Sequence, residues 1–314
     1  MKEVPKNQRK VRPVVKRLRR SPLALAVVGL CLGLAPSAFA VPVDLGGAAD
    51  YAVVGVGGSV SIYSDFEIYQ SATVINGNVA EGPYTHTTHG VDATVNGRWD
   101  YDPTVNPAPF LGSGGSVTGG FVQKDLTGVA ADARNASALA AALAPTQNFS
   151  TLTEGQTIVG NGGLNVIRIT GDVTLKKTLT ISGSASDQFV FQLTTSGTGH
   201  ILTLSGMTMT LSGGVLADSI LWNLNGLGGD IVISSGANVV GTFLAPDRQI
   251  ISDHGTIDGR LIGGGSGTEL SVHSGSQIGY TPTTPTTVPD GGSTVALLGT
   301  VVVSLVGLRR KSAV

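Results

Sequence analysis

The chain has a single cysteine, Cys31, and it lies inside an apolar stretch near the N-terminus. Without that stretch no thiol remains, which excludes disulfides, thiolate metal sites and cysteine nucleophiles. An exported protein without disulfides must be held by its core and its hydrogen bonds, which suits a large, regular fold. Aromatic residues make up only 5% of the sequence and charged residues 13%. Basic residues are scarce in the middle: from Val41 to Asp290, eight Lys and Arg stand against twenty Asp and Glu, a net of −12. A surface of that sign repels phosphate backbones, so nucleic acid is excluded as a partner. Also missing are a Gly-x-Ser-x-Gly elbow, a His-Glu-x-x-His helix and a phosphate loop. The early "YAVVGVGGSV" is followed by no βαβ unit and reads as a first β-coil. No enzymatic activity, cofactor, catalytic set or metal site is expected.

Glycine is abundant, at 45 residues, and much of it recurs in one pattern: aliphatic, any residue, Gly, any residue, apolar. The pattern occurs at Ile75–Val79, Val95–Trp99, Val117–Phe121, Ile169–Val173, Val239–Phe243 and Ile257–Leu261. Gly77, Gly97 and Gly119 are 20 and 22 residues apart, and Gly241 and Gly259 are 18 apart. A step near 20 residues is the length of one β-solenoid coil, with alternating apolar residues pointing into the stack and Gly at the corner. Alternating runs at Thr178–Gly183, Phe189–Thr195, Ile201–Gly206 and Met207–Gly214 fit the same scheme. A β-sandwich would also supply many short strands, but not a recurring corner. One segment breaks the β text. Its apolar residues Val122, Leu126, Val129, Ala133, Leu139 and Leu143 are mostly three or four apart, and Pro145 follows. This predicts an α-helix over 122–144, with an alanine-rich face able to lie flush against a solenoid wall. The expected architecture is mainly β: a right-handed β-solenoid (β-helix) over residues 41–280 with one long α-helix packed alongside.

Both ends read as processing signals. Residues 1–20 hold nine Lys and Arg, followed by apolar Leu23–Leu34 and the small-x-small site Ala38-Phe39-Ala40. That order predicts a secretory signal peptide over 1–40, cut by signal peptidase after Ala38 and Ala40 have filled its small-residue pockets. Arg19-Arg20 hints at a twin-arginine route, which Pro22 fits poorly. At the other end, "TPTTPTT" (281–287) reads as a stiff linker and "VPDGGST" (288–294) as a turn-forming motif. Val295–Leu308 is a 14-residue apolar run and Arg309, Arg310 and Lys311 are a basic stop. A permanent anchor needs about 20 apolar residues, so a short transmembrane helix at 295–308 predicts a transient inner-membrane stage. A simple tail anchor is the competing reading.

The motif Val288-Pro289-Asp290-Gly291-Gly292, the short apolar run and the basic end with Arg309 and Arg310 resemble the VPDSG variant of PEP-CTERM sorting tails. Gly292 departs from the motif's usual pattern. The resemblance implies an exosortase-type peptidase as partner, cleavage near Val288–Gly291 and delivery to the cell surface or extracellular matrix. The middle of the chain resembles the choice-of-anchor A domain family and, more distantly, ice-binding-like β-solenoids. The helix and the segments Gly163–Gly171, Ser219–Gly226, Gly241–Ile250 and Gly259–Ser274 carry that resemblance. It implies an extracellular domain paired with a surface anchor, and it brings no catalytic residues. The large acidic surface makes a structural or adhesive role the expectation, with extracellular glycan or matrix components as partners.

Three features were candidate sites. His86 and His89 in "YTHTTHG" have a loop spacing that could hold a metal, but no acidic partner is close in sequence. Asp253–Arg260, with Asp247, Arg248 and Glu269, gathers charges that on a carbohydrate-cleaving β-helix would do acid–base work. Thr178/Thr180 and Thr208/Thr210 each put two hydroxyls on one side of a strand, as an ice-binding face requires. Their neighbours keep no constant 20-residue step, and Lys176 and Lys177 intrude.

Overall fold

The alternating residues form short parallel strands that wind around an apolar centre in three stacks, making a β-solenoid. The structure is a computed structural model and describes residues 42–279 except 71 and 196. The expected signal peptide, linker, sorting motif and 295–308 span lie outside the described residues. Among the described residues no helix is long and apolar enough to cross a membrane.

A seventeen-stranded sheet covers two of the three sides, bending around one corner, and a seven-stranded sheet forms the third. The bend is where the glycine pattern acts. Asn238–Ala245 and Thr256–Gly265 run around the corner as single strands, pivoting at Gly241 and Gly259, which lie opposite each other. Gly119 likewise donates its N–H to the Gly97 carbonyl at 2.8 Å. The pattern therefore marks one recurring corner, except at Ile169–Val173, where Gly171 turns the chain from the larger sheet into the smaller one.

The order of the stack departs from the order of the sequence. On the side that later carries the helix, strands follow one another as Gln147–Phe149, Leu164–Ile169, Gln188–Leu193, Ile220–Asn223, then the ends of Asn238–Ala245 and Thr256–Gly265. The next layers are Val53–Gly57, Val79–Glu81, Trp99–Tyr101 and Phe121–Gln123. The last coil of the chain thus docks on its first. "YAVVGVGGSV" is a first coil in sequence and an internal one in space.

Helix α1 (Thr127–Ala142) makes this possible. It must return the chain from one end of the stack to the other, nine strand spacings or about 43 Å at ~4.8 Å each. Its 16 residues supply about 24 Å. The flanking seven residues, extended, supply about 23 Å more. The predicted limits 122–144 were too wide, because residues 121–123 are a strand paired with Trp99–Tyr101. The buried stripe of α1 is the expected alanine-rich face and not the whole row of larger apolar residues. It is Ala130, Ala133, Ala136, Ser137 and Ala140, while Leu139 is 60% exposed. Against this stripe lie the outward side chains Val54, Ala80, Val190, Leu221, Leu244 and Ile262. Small residues let the helix axis approach a continuous aliphatic sheet surface. Gln192 donates to the carbonyls of Ala140 and Leu143 at 2.8 and 2.9 Å, satisfying the helix end. Ser137 and Asn223 exchange two hydrogen bonds of 2.7 and 3.0 Å across the same contact.

Three of the aromatics stack in the interior. Phe191, Trp222 and Phe243 occupy successive layers, with ring centroids 3.9 and 6.0 Å apart. Four acids are buried among the described residues, Glu81, Asp100, Asp102 and Asp187, and Glu81 lies among inward side chains of the core. Glu81 is fully buried and accepts hydrogen bonds from Thr87 at 2.7 Å, Trp99 Nε1 at 3.1 Å and Thr85 at 3.2 Å. Burial pushes its carboxyl up to about 7, and those three donors only partly offset the push.

Arg248, from "GTFLAPDRQI", is buried at a corner between sheets. It donates to the carbonyls of Gly226, Gly229, Asn225 and Thr195 at 2.9, 3.1, 3.2 and 3.4 Å. These bonds fasten three corner loops, so Arg248→Met strands buried carbonyls. Urea denaturation should show a loss of about 3 kcal/mol. A loss below about 1 kcal/mol would mean that the loops hold without it.

Candidate flat face

The side opposite no helix is a second stack of strands from the larger sheet. Its outward positions form two columns. One runs Thr178, Thr208, Asn238, Thr256, Gln277, Val74, Thr94 and Ser116, each the direct partner of the next. The other contains Thr157, Thr180 and Thr210, and then Val240, Asp258, Gly279 and Asn76. Asn96 Nδ2 continues it with a 2.8 Å bond to Asn76 Oδ1. Layers repeat at about 4.8 Å and outward residues along a strand at about 6.7 Å, which gives a regular two-dimensional array. The inward residues Ile158, Leu179, Met209, Val239, Ile257, Ile278, Ile75 and Val95 are buried and hold it.

Five threonines, 157, 178, 180, 208 and 210, make one patch over three layers. The sequence reading missed this, because it required a 20-residue step. Thr178 and Thr208 are 30 residues apart and still directly paired. Strand pairing sets the register, and loops of unequal length absorb the difference. Nor do Lys176 and Lys177 interrupt the patch. They precede the strand Thr178–Ser182 at the corner, and Lys177 pairs with Glu154 at 3.2 Å.

Among the outward strand positions of this face that are described, Asp258 alone is charged. Burial, and then repulsion from Asp218, raise its carboxyl above the usual carboxylate range. The surface offers hydroxyls, methyls and amides with little charge to desolvate. Such a surface can bind an extended, neutral, ordered partner but offers no acid–base pair.

The two other candidates resolve differently. Asp253 and His254 lie on the smaller sheet's side, Asp258 on the threonine face, and Arg260 is buried near Asp218 at 3.8 Å. Asp247 binds Arg134 of α1 at 2.9 Å, and Glu269 accepts from Gln249 at 2.8 Å. These charges are distributed over the molecule and do not converge on one substrate position. His86 and His89 do have acidic partners, supplied by the neighbouring layer: Asp65 at 3.7 Å and Glu67 at 3.4 Å. Among the described residues no group of three or more potential ligands could hold a metal ion.

Solved structures share this architecture. An ice-binding protein from the Antarctic ascomycete Antarctomyces psychrotrophicus matches with a TM-score of 0.54 at 22% identity, over 77% of this chain and 99% of that one. An ice-binding protein from an Arctic yeast matches with a TM-score of 0.52 at 20% identity, over 76% and 95%. At that identity the likeness is one of fold. No curated protein matches significantly. The VPDSG-CTERM motif matches residues 287–312. The ice-binding-like adhesive domain matches residues 33–278, the whole described solenoid but its last residue, and the chain belongs to that family.

Proposed function

We propose that the protein is a non-catalytic adhesin, sorted to the cell surface or extracellular matrix, whose threonine face is its contact surface. The observation carrying this reading is the pair of outward columns, whose described strand positions are neutral but for Asp258. A hydroxyl- and amide-bearing lattice complements an ordered neutral glycan, because both surfaces exchange water for matched hydrogen bonds over many weak contacts. The sorting motif implies export to the cell surface by an exosortase-type system. On this reading signal peptidase cuts after Ala40, the tail is held briefly in the inner membrane, and cleavage near Val288–Gly291 frees the domain.

The five-threonine patch favours a second reading, ice binding, since hydroxyl–methyl pairs at regular spacing can order water. A single pair of variants separates the two. Thr180→Lys/Thr208→Lys places two cations at the patch centre without touching the core. Retention of residues 41–287 on crystalline cellulose, lost at least tenfold in the variant with an unchanged melting temperature, supports adhesion. Faceted ice growth, lost in the same variant, supports ice binding and overturns the adhesive reading. Variant and parent behaving alike in both assays would remove the face from either role.

A further inference from the structure

Between α1 and the corner where the helix side meets the smaller sheet lies an open cleft of about 410 Å³. One wall is the helix, with Ala130, Ala131, Arg134 and Asn135. The other is the corner, with Gly58, Pro83 and Tyr84. Both walls are fixed before any ligand arrives. Asp102 accepts from Leu126 N at 3.0 Å, at the start of α1, and from the Thr104 hydroxyl at 2.7 Å. The same Thr104 oxygen accepts from Tyr84 N at 2.8 Å, so one carboxylate holds helix and corner together. Arg134 reaches across, donating from Nε to Asp247 at 2.9 Å and from Nη2 to the Gly57 carbonyl at 3.1 Å. Gly58 N donates to the Pro83 carbonyl at 2.9 Å and ties the two corner turns to each other.

Tyr84 is the unusual member. Its φ is +54°, a left-handed backbone that a bulky side chain adopts at a cost of about 1–2 kcal/mol. The residue is only half-buried, so the core does not require its ring. Tyr63 meets that ring edge-on at 6.0 Å and itself stacks on His86 at 4.5 Å, which fixes the ring from behind. Strain of this kind, held in place by its surroundings, is found at ligand clamps. Val60 and Ile62, 71% and 56% exposed, stand on the turn that follows Gly58 and add apolar surface beside it.

We propose that this cleft binds one neutral pyranose unit, the end or branch of a glycan. A pyranose has an apolar C–H face and a rim of hydroxyls. Tyr84, Pro83 and Ala130 offer apolar surface to the first. The exposed Asn135 amide, the Arg134 guanidinium and the Thr127 hydroxyl, which donates to Asp125 at 2.6 Å and can still accept, offer hydrogen bonds to the second. Asp247 balances the charge of Arg134, so an anionic sugar gains little over a neutral one. The threonine face is an extended surface suited to a long chain, whereas the cleft has room for a chain end. The two sites are independent, and the cleft extends the adhesive reading without resting on the threonine face.

Saturation-transfer NMR on the full chain tests this with the methyl glycosides of glucose, mannose, galactose and N-acetylglucosamine. At least one should receive saturation on its ring protons and titrate in the millimolar range. Tyr84→Gly removes the ring and suits the left-handed backbone, so it should weaken binding about fivefold with no loss of melting temperature. Asn135→Ala, on the exposed side of α1, should weaken it about threefold. Should Tyr84→Gly not fold, Asn135→Ala carries the test. Thr180→Lys/Thr208→Lys should bind the glycoside like the parent, even where it fails on cellulose. No transfer to any glycoside, or binding unchanged in Tyr84→Gly and Asn135→Ala, would overturn the proposal. So would binding lost only in the threonine variant, which would put the sugar on the other face. Transfer to 1-butanol without any glycoside would make the cleft a plain apolar pocket and overturn it too.

Discussion

Gly259→Ala is expected to abolish folding or cost about 4 kcal/mol, a large part of a domain's whole stability. Gly259 has φ +152°, a conformation that side chains rarely adopt. A Cβ there would sit 2.0 Å from the Gly241 carbonyl oxygen and 2.6 Å from its carbon. Both atoms are backbone in the adjacent layer, so relief requires separating two paired strands. Those strands, Asn238–Ala245 and Thr256–Gly265, share eight residues of register and tie the threonine side to the helix side. Gly236 is the control: its φ is +77°, but no atom lies within 4 Å of the Cβ position. Gly236→Ala should therefore cost only about 1 kcal/mol, the local price of left-handed backbone. Soluble yield and urea midpoints of the two variants check the contrast. Similar losses would mean that φ alone, and not the close approach at the corner, governs this fold.

The second large effect is a pH dependence set by Glu81. Its carboxyl titrates at about 7 in the fold against 4.5 as an ordinary glutamate, because burial among Thr85, Thr87 and Trp99 disfavours the charge. The folded state thus holds a proton that the unfolded state has already released. Stability from this group is fully present below pH 4.5, falls as pH rises toward 7 and is lost above it. The shift corresponds to about 3 kcal/mol. Glu81→Gln keeps an acceptor for Trp99 Nε1 and lets the amide donate to the threonine hydroxyls, whose protons can rotate. At pH 8 the variant should be more stable than the parent by about 2–3 kcal/mol, with the difference vanishing near pH 4.5. Equal stability at pH 8, seen in urea melts, would mean that water reaches the carboxylate.

Much of this was legible in the chain and some was not. The corner was, since an aliphatic-x-Gly-x-apolar run can only place two inward residues on either side of a turn. The helix was legible as an element, and so was its alanine-rich contact face, but the larger apolar residues counted in its periodicity were a poor guide. Leu139 raises the apolar count yet points to solvent, whereas alanine, weakly apolar on any scale, forms the buried stripe. Close packing against Leu221, Leu244 and Ile262 selects for smallness, a property that hydrophobic periodicity does not measure. His86 and His89 looked unpartnered because their carboxylates are about 21 residues earlier in the chain. One coil of separation in sequence is contact in a solenoid.

The sequence by itself determined the class of fold, the excess of acidic residues from Val41 to Asp290 and the family. Each depends on composition or on patterns local to one coil. Tertiary structure alone decided the layer order, with the last coil on the first. That order follows from α1 carrying the chain back along the stack, and no local pattern encodes where a returning chain begins to wind. It also decided which threonines meet. Loops between strands vary in length, so position along the chain does not fix height in the stack; the parallel hydrogen-bond ladder does.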